Sequence, residues 1–453
     1  MKVTFKQLGR IEDAVLELND LTIIAGTNNT GKTYITYTLY GLLRDWNNFF
    51  QIRNSEEISK RLIKKGNVVL PKAQILDSFD KIISGISERY SKKIPDIFND
   101  KEGNLDKASI DIFLEKLRFF DSSKILKVRI GGTHTIQGKI ENDSIHISII
   151  GTGDDLLPVF IVKDIINSII GKLMLAGCFP EPFIATSERL GISLFYKELD
   201  VSKNVLVEAL QKLKTDKGSR NGINPFELVE KMSSRYATPV KDNIRFTRAI
   251  GEFGKKSRDE DFKPLLDKLR YMMGGYFKKV DKEIRFISTA RKEGKFNIPL
   301  YLGSTSAREL TDLFFFLRYI AEEGMMIIID EPESHLSPCN QIEMARLLAL
   351  CVNAGLKVFI TTHSDYLVKE LNNLIMLSRS FQGKEEFLKK NSRHYSPDDF
   401  LKPESVNAYI CKDGILKKCN VDKKGMDITS FDETIDEINR ISDELDFLTD
   451  DQT

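Results

Sequence analysis

Residues Gly26 to Thr33 spell Gly-Thr-Asn-Asn-Thr-Gly-Lys-Thr, directly after the apolar run Leu21-Thr22-Ile23-Ile24-Ala25. A nucleoside triphosphate needs closely spaced backbone N–H groups, a cation near its β and γ phosphates, and a hydroxyl on Mg²⁺. The loop, Lys32 and Thr33 supply all three. The two glycines let the chain curl around phosphate, and a helix opening near Lys32 points its positive dipole end at the same place. The nucleotide-binding set read from this motif is Gly26, Asn28, Asn29, Thr30, Gly31, Lys32, Thr33 and Tyr34. A second cluster, Asp330-Glu331, ends five apolar residues, Met325 to Ile329. One carboxylate there can hold Mg²⁺ and its neighbour can orient or deprotonate an attacking water. Thr33 and Asp330 are therefore the expected metal ligands, and ATP with Mg²⁺ the expected cofactors. The plainer readings are a glycine turn before a helix and a solvated acidic turn. The strand-before, helix-after setting of the loop and the apolar run before Asp330 weigh against both.

These residues need a scaffold, and the patterning predicts an α/β fold of the P-loop type, a mixed sheet flanked by helices. Lys2 to Leu18 alternates around Gly9-Arg10 like paired strands, and Leu21 to Ala25 reads as a buried strand feeding the loop and a helix Lys32 to Arg44. Strand-like Arg285 to Ser288 and Phe296 to Leu302 lead to a helix Arg308 to Glu323. Met325 to Ile329, a helix Asn340 to Val352 and a strand Lys357 to Thr361 complete a βαβ unit. Asn373 to Leu377 reads as a further strand, and Asn407 to Cys411 with Ile415 to Val421 as a hairpin turned at Lys412-Asp413-Gly414. Residues 1–44 and 299–421 are expected to form the head. Residues 45–298 form an insertion that in part completes it, and 422–453 a tail with an acidic amphipathic helix, Phe431 to Leu448. Within the insertion, Ile58 to Ile63, Ala73 to Tyr90, Val159 to Leu175, Val201 to Leu213 and Phe262 to Val280 have helical spacing. Lys124 to Ile150 alternates with period two and is broken by Gly131-Gly132 and Asn142-Asp143, a sheet signature.

The chain has 67 Lys+Arg against 66 Asp+Glu, so no global charge excess selects nucleic acid or an acidic membrane as partner. Five cysteines without a Cys-x-x-Cys pair indicate neither zinc nor a disulfide framework. The first ten residues lack the apolar core of a signal peptide, and every apolar stretch is interrupted before membrane-spanning length, which sets cytoplasm and no membrane partner as the expectation. Basic clusters at Lys60-Arg61 with Lys64-Lys65, Lys255-Lys256 with Arg258, and Arg291-Lys292 with Lys295 read first as solvated surface. They keep nucleic acid open as a partner.

Asp330-Glu331-Pro332-Glu333 with His335-Leu336 and Pro338, then Thr361-Thr362-His363-Ser364, resembles the ABC-type ATPases, and among them the soluble SMC, RecF and OLD-like branch. That resemblance implies Asp330 as the Walker B aspartate, Glu331 as the catalytic glutamate, Ser334 to Ser337 as the D-loop and His363 as the catalytic switch histidine. The loop Ile24 to Thr33 is similar to the same branch, which usually carries Asn at the position of Asn28. The resemblance also implies a signature loop acting in trans on a second subunit's nucleotide. The candidate is Leu302 to Leu310, with Ser304, Thr305 and Ser306 facing phosphate. The family usually has glycine where Ser306 stands, and a plain Ser/Thr helix cap is the alternative reading. No glutamine is assigned to a Q-loop. Pro182 to Gly191, with its Glu188-Arg189 turn, is similar to a stretch in related stand-alone ATPases, and an ion pair of structural type accounts for it equally well.

The resemblance implies an ATP-driven switch that closes as a homodimer or larger homo-oligomer. About ninety residues follow His363, too few for the rest of the head and the TOPRIM nuclease that many OLD-like ATPases carry, so a separate nuclease-like effector is expected. Stand-alone ATPases of this kind occur in anti-phage systems such as PARIS-like or Septu-like pairs, and a sensor role of that type is the first expectation. A RecF- or SMC-like DNA-repair ATPase acting directly on DNA is the alternative. A transporter's energising subunit and a non-hydrolysing nucleotide-gated scaffold are the further readings.

Overall fold

The computed structural model describes residues 1–114, 125–130, 134–151, 158–196, 236–254, 257–280, 283–289, 297–428 and 437–445. Among these a nine-stranded sheet runs in the order Ser109–Phe113, Lys2–Leu8, Ile11–Glu17, Ile415–Lys418, Val406–Lys412, Leu21–Ala25, Lys357–Thr362, Met326–Asp330, Pro182–Ala185. The last five strands are mutually parallel. The first three are antiparallel, and the Val406–Lys412 hairpin joins the two parts. The α/β class with a mixed sheet is therefore as expected.

The parallel strands Leu21–Ala25 and Met326–Asp330 are buried along their whole length, which is why they read as unbroken apolar runs. Their alternate residues feed two cores. Ile24, Met326, Ile328 and Phe359 pack on one face with Ile35 and Leu39 of the helix Lys32–Asp45. Leu21, Ile23, Ile327, Ile329 and Ile360 pack on the other, with Leu347 of the helix Pro338–Asn353 and Leu371 of the helix Asp365–Leu377. The register pairs Ala25 with Thr362, Asp330 with Thr361, and Ala185 with Ile329. The carboxyl ends of four neighbouring strands thus finish side by side, the place where open parallel sheets bind ligands.

Two strands of the 45–298 stretch, Ser109–Phe113 and Pro182–Ala185, form the two edges of the main sheet. The predicted sheet region folds as Leu126–Ile130, His134–Glu141 and Ser144–Gly151, joined by Asn67–Pro71 in a four-stranded antiparallel sheet. Its hairpin turns at Asn142 and Asp143, both with positive φ, as a two-residue turn that matches strand twist requires. Ile136, Ile140 and Ile147 lie in one core with Ile166 and Ile169 of the helix Val159–Leu175.

Four local expectations are corrected. Phe262 to Val280 is a helix only over Lys263–Met273; Gly274, at φ +65°, ends it, and Gly275–Val280 is a strand paired with Glu283–Ser288. Asn373 to Leu377 is the last part of the helix Asp365–Leu377, where Leu367, Leu371, Leu374 and Ile375 are buried at helical spacing. Arg308 to Glu323 is two helices, Thr305–Glu309 and Thr311–Tyr319, separated at Leu310. Phe296 to Leu302 is a short strand Asn297–Pro299 and a 3₁₀ turn Leu300–Leu302, with Phe296 itself outside the described residues. Val201 to Leu213 lies outside the described residues, and of the tail helix 437–445 is described, exposed throughout. No helix of the described residues is long and apolar enough to cross a membrane.

Candidate functional site

The phosphate loop leaves the strand Leu21–Ala25 at Gly26, whose φ of +153° and lack of a side chain are both used: a Cβ there would lie 2.4 Å from the Cys411 carbonyl oxygen. Gly31, at φ +106°, opens the helix Lys32–Asp45 without a side-chain cap, which leaves the helix start to an anion. Asn28 and Asn29 are exposed. Thr30 donates its hydroxyl to the Thr27 carbonyl at 3.0 Å. Tyr34 lies 5.2 Å from the Phe98 ring, between centroids, and a Cβ on Gly9 would meet its ring, so it packs under the first hairpin. The Lys32 ammonium is buried and folds back on the loop, donating to the carbonyls of Gly26 and Thr27 at 2.8 Å each. Burial lowers its pKa, and Glu331 and Asp330 oppose that. It is a cation held where a β or γ phosphate can replace two carbonyl oxygens.

Asp330 ends its strand only 1% exposed. Its Oδ2 accepts the Thr33 hydroxyl at 3.1 Å and its Oδ1 accepts the Thr361 hydroxyl. Burial pushes Asp330 up to about 6; the Thr361 and Thr33 hydroxyls oppose this and Glu331 adds to it. A carboxylate and a hydroxyl in contact form a hard-oxygen pair that fits Mg²⁺, which takes one or two protein ligands and fills its octahedron with water and phosphate oxygens. Among the described residues no group of three or more His, Cys, Asp or Glu side chains could hold a metal by itself.

Glu331 sits in the left-handed region at φ +53°, which costs a non-glycine residue about 1 kcal/mol and turns its side chain out of the strand line. Its N–H donates to Thr361 Oγ1 at 3.2 Å and its Oε2 accepts from Ser334 Oγ at 3.2 Å. His363 Nδ1 lies 3.6 Å from Glu331 Oε1 and 3.3 Å from Glu333 Oε1. The facing His363 holds the Glu331 carboxyl below its usual range, and Glu331, then Glu333, raises the His363 imidazole against partial desolvation. Buried Glu333 also accepts from the His363 N–H at 2.7 Å and the Thr362 hydroxyl at 2.8 Å. The sequence motif contained Glu333 without a role; here it fixes the imidazole beside Glu331.

The structure thus brings together Lys32, Thr33, Asp330, Glu331 and His363. Among the described residues no hydrogen bond joins Ser304, Thr305 or Ser306 to Gly26 to Thr33. Ser304 caps the helix Thr305–Glu309, its Oγ accepting from the Ala307 N–H at 3.2 Å, while Ser304 and Thr305 are exposed and Ser306 half-buried. Two partners went unassigned in sequence. Thr361 braces both carboxylate residues, and Arg189 donates to the carbonyl oxygens of Asp330 and Glu331, both at 2.7 Å. Only the Glu188-Arg189 turn offered a signal for the second. Among the basic clusters, Lys60 pairs with Glu56 at 2.7 Å and Arg258 with Glu322 at 2.5 Å; Lys255-Lys256 and Arg291 to Lys295 lie outside the described residues.

The family model for an AAA ATPase domain matches residues 195–368, a span that includes Asp330, Glu331 and His363. No curated protein matches the chain. Among solved structures, the chain is similar to the SMC head domain from Thermotoga maritima, at 12% identity and a TM-score of 0.33 over 93% of this chain and 98% of that one. It is also similar to the Smc head domain with an extended coiled coil bound to the C-terminal domain of ScpA, derived from Pyrococcus furiosus, at 12% identity and a TM-score of 0.31 over 97% and 98%. A third is the SmcHead bound to the C-winged helix domain of ScpA, at 11% identity and a TM-score of 0.32 over 92% and 96%.

Proposed function

We propose that this ATP-hydrolysing enzyme is a switch that closes as a dimer on ATP and reopens on hydrolysis, and that it serves as the sensor ATPase of an anti-phage system controlling a separate nuclease effector. Gly26, Asn28, Asn29, Thr30 and Gly31 cradle the phosphates, with Lys32 moving from its two loop carbonyls onto them and Tyr34 bracing the helix start. Thr33 and Asp330 would hold Mg²⁺, which would supply charge neutralisation at the phosphates. Glu331 orients or deprotonates water, and His363 sets the Glu331 carboxylate. Catalysis here is positioning and charge stabilisation, without covalent chemistry on protein groups.

The observation that carries the reading is the meeting of Thr33 with Asp330 beside the Glu331–His363 contact, which joins the phosphate loop to a water-activating pair. Closure as a dimer is supported by the exposure of Ser304 and Thr305, which leaves them open to a second copy. The defence role rests on the likeness of Asp330 to Pro338 and Thr361 to Ser364 to that soluble ATPase branch. Turnover and ATP-dependent sedimentation of the purified protein test the switch; a monomer in ATP that turns over at full rate would sink it. A tagged pull-down with the product of the neighbouring reading frame, scored for ATP-controlled nuclease activity, tests the effector. ATP-dependent, salt-sensitive binding to DNA without any partner would instead favour direct action on DNA.

A further inference from the structure

Arg189 opens the helix Arg189–Phe195 after the edge strand Pro182–Ala185, which runs parallel to Met326–Asp330. Its side chain is only 4% exposed and joins its own turn, the Asp330-Glu331 strand end and Glu309. Nη1 donates to Thr186 O at 3.0 Å and Asp330 O at 2.7 Å, and Nη2 donates to Glu331 O at 2.7 Å. Nη2 also lies 2.5 Å from Oε1 of Glu309, whose side chain is fully buried. Glu309 is the last residue of the helix that Ser304 caps. A second tether runs parallel to the first. Thr186 donates both its N–H, at 3.0 Å, and its hydroxyl, at 3.1 Å, to Asn243 Oδ1, and Asn243 Nδ2 donates to Asp312 Oδ2 at 2.6 Å, one turn past Glu309.

The fork of a guanidinium can span two backbone carbonyls and a carboxylate at once, which an ammonium cannot do with the same fixed geometry. The carbonyls it holds are those of the metal-binding and water-orienting residues, and the second of these, Glu331, is in a strained left-handed turn. We propose that Arg189 is a positioning residue that locks Glu331 to the Thr305–Glu309 helix, so that engagement of that helix by a second copy sets the water-orienting carboxylate of the first. This rests on the closing-dimer reading above. The Thr186–Arg189 turn thereby takes the part of a coupling element between the two nucleotide sites of a dimer.

The test is a double-mutant cycle on the full chain with Arg189→Lys and Glu309→Gln, measuring kcat, the Kd of a fluorescent ATP analogue and the thermal midpoint. Arg189→Lys is expected to lower kcat at least about tenfold while the nucleotide Kd stays within about threefold, because a shift of the carboxylate misplaces water without touching the phosphate loop. Glu309→Gln lowers kcat as well, and the double variant is no slower than Arg189→Lys alone because both act along one path. Losses that multiply, or kcat and Kd that decline together with the thermal midpoint, would overturn the coupling in favour of a merely structural pair. If Arg189→Lys does not fold, Glu309→Gln, which keeps the volume and removes only the charge, decides by the same split between kcat and Kd. Wild-type protein that neither hydrolyses nor dimerises in ATP would instead remove the switch itself, so the two failures are distinct.

Discussion

Thr33 and Asp330 stand 297 residues apart in sequence and 3.1 Å apart in space. The contact is the geometric meeting point of the phosphate loop and the acidic strand end, and under the proposed function it is where the divalent cation would be held. Asp330→Asn keeps the shape and the hydrogen-bond capacity toward Thr361 but removes the charge. ATP hydrolysis in Mg²⁺ is expected to fall roughly a hundredfold or more, with the fold intact by circular dichroism. A variant that retained the wild-type rate would move the metal elsewhere.

Lys32→Ala removes the side-chain cation that donates to the loop carbonyls of Gly26 and Thr27. Binding of a fluorescent ATP analogue is expected to be lost. Retained affinity would mean that backbone N–H groups alone hold the phosphates.

Glu331→Gln preserves the Ser334 contact and removes the negative charge that faces His363. Nucleotide binding should persist while hydrolysis falls by about two to three orders of magnitude and a closed dimer accumulates in ATP, seen by sedimentation. Turnover at the wild-type rate would exclude Glu331 from orienting water.

Gly26→Ala places a methyl 2.4 Å from the Cys411 carbonyl in a backbone region that L-residues rarely adopt. A loss of about 1–3 kcal/mol is expected from the forced backbone shift, measured as a lower denaturant midpoint. An unchanged midpoint would show that the Cys411 strand gives way freely.

Asp312 gives the fold a pH dependence. Burial pushes its carboxyl up to about 7, against the hydrogen bonds from Thr247 and Asn243 and the nearby Arg189 charge, with Glu309 adding to the rise. The unfolded chain ionises this group near the ordinary aspartate value, so between about 4 and 7 the folded state binds the proton that the unfolded state has released. Stability from this group is therefore lost as pH rises through that window and is flat above it. Asp312→Asn should flatten the pH dependence of the unfolding free energy between about pH 4 and 7 by an amount on the order of a few kcal/mol. An unchanged slope would assign it to other groups.

The strand ends were legible because they are written in short contiguous runs: Leu21 to Thr33, Met325 to Glu331, and Val358 to His363 each carry their own strand and the candidate residues that follow it. What holds those ends in place was not legible. Thr361, Glu333 and Arg189 act across 31, 30 and 141 residues respectively, and nothing in their local spacing distinguishes a bracing side chain from an ordinary one. The helix Asp365–Leu377 shows the complementary failure. Leu374 to Leu377 is an apolar run that fits a strand locally, and the Ser364 cap, whose Oγ accepts from the Leu367 N–H, commits the chain to a helix ten residues earlier. Gly274 was likewise readable as a residue inside a helix until the pairing of Gly275 with Ser288 showed a strand beyond it.

The strand Leu21–Ala25 has two neighbours in the sheet, Lys357–Thr362 and Val406–Lys412, and both are translated more than three hundred residues after it. A nascent chain that has emerged as far as the insertion therefore carries its phosphate loop on a strand with neither hydrogen-bonding partner, and an apolar ribbon open on both edges. Such long-range pairing is slow to form and prone to association in the interval. Under the proposed function, a nucleotide that needs both the loop and the late strand ends would act by mass action on the last step of folding, drawing late-synthesised strands onto an early one.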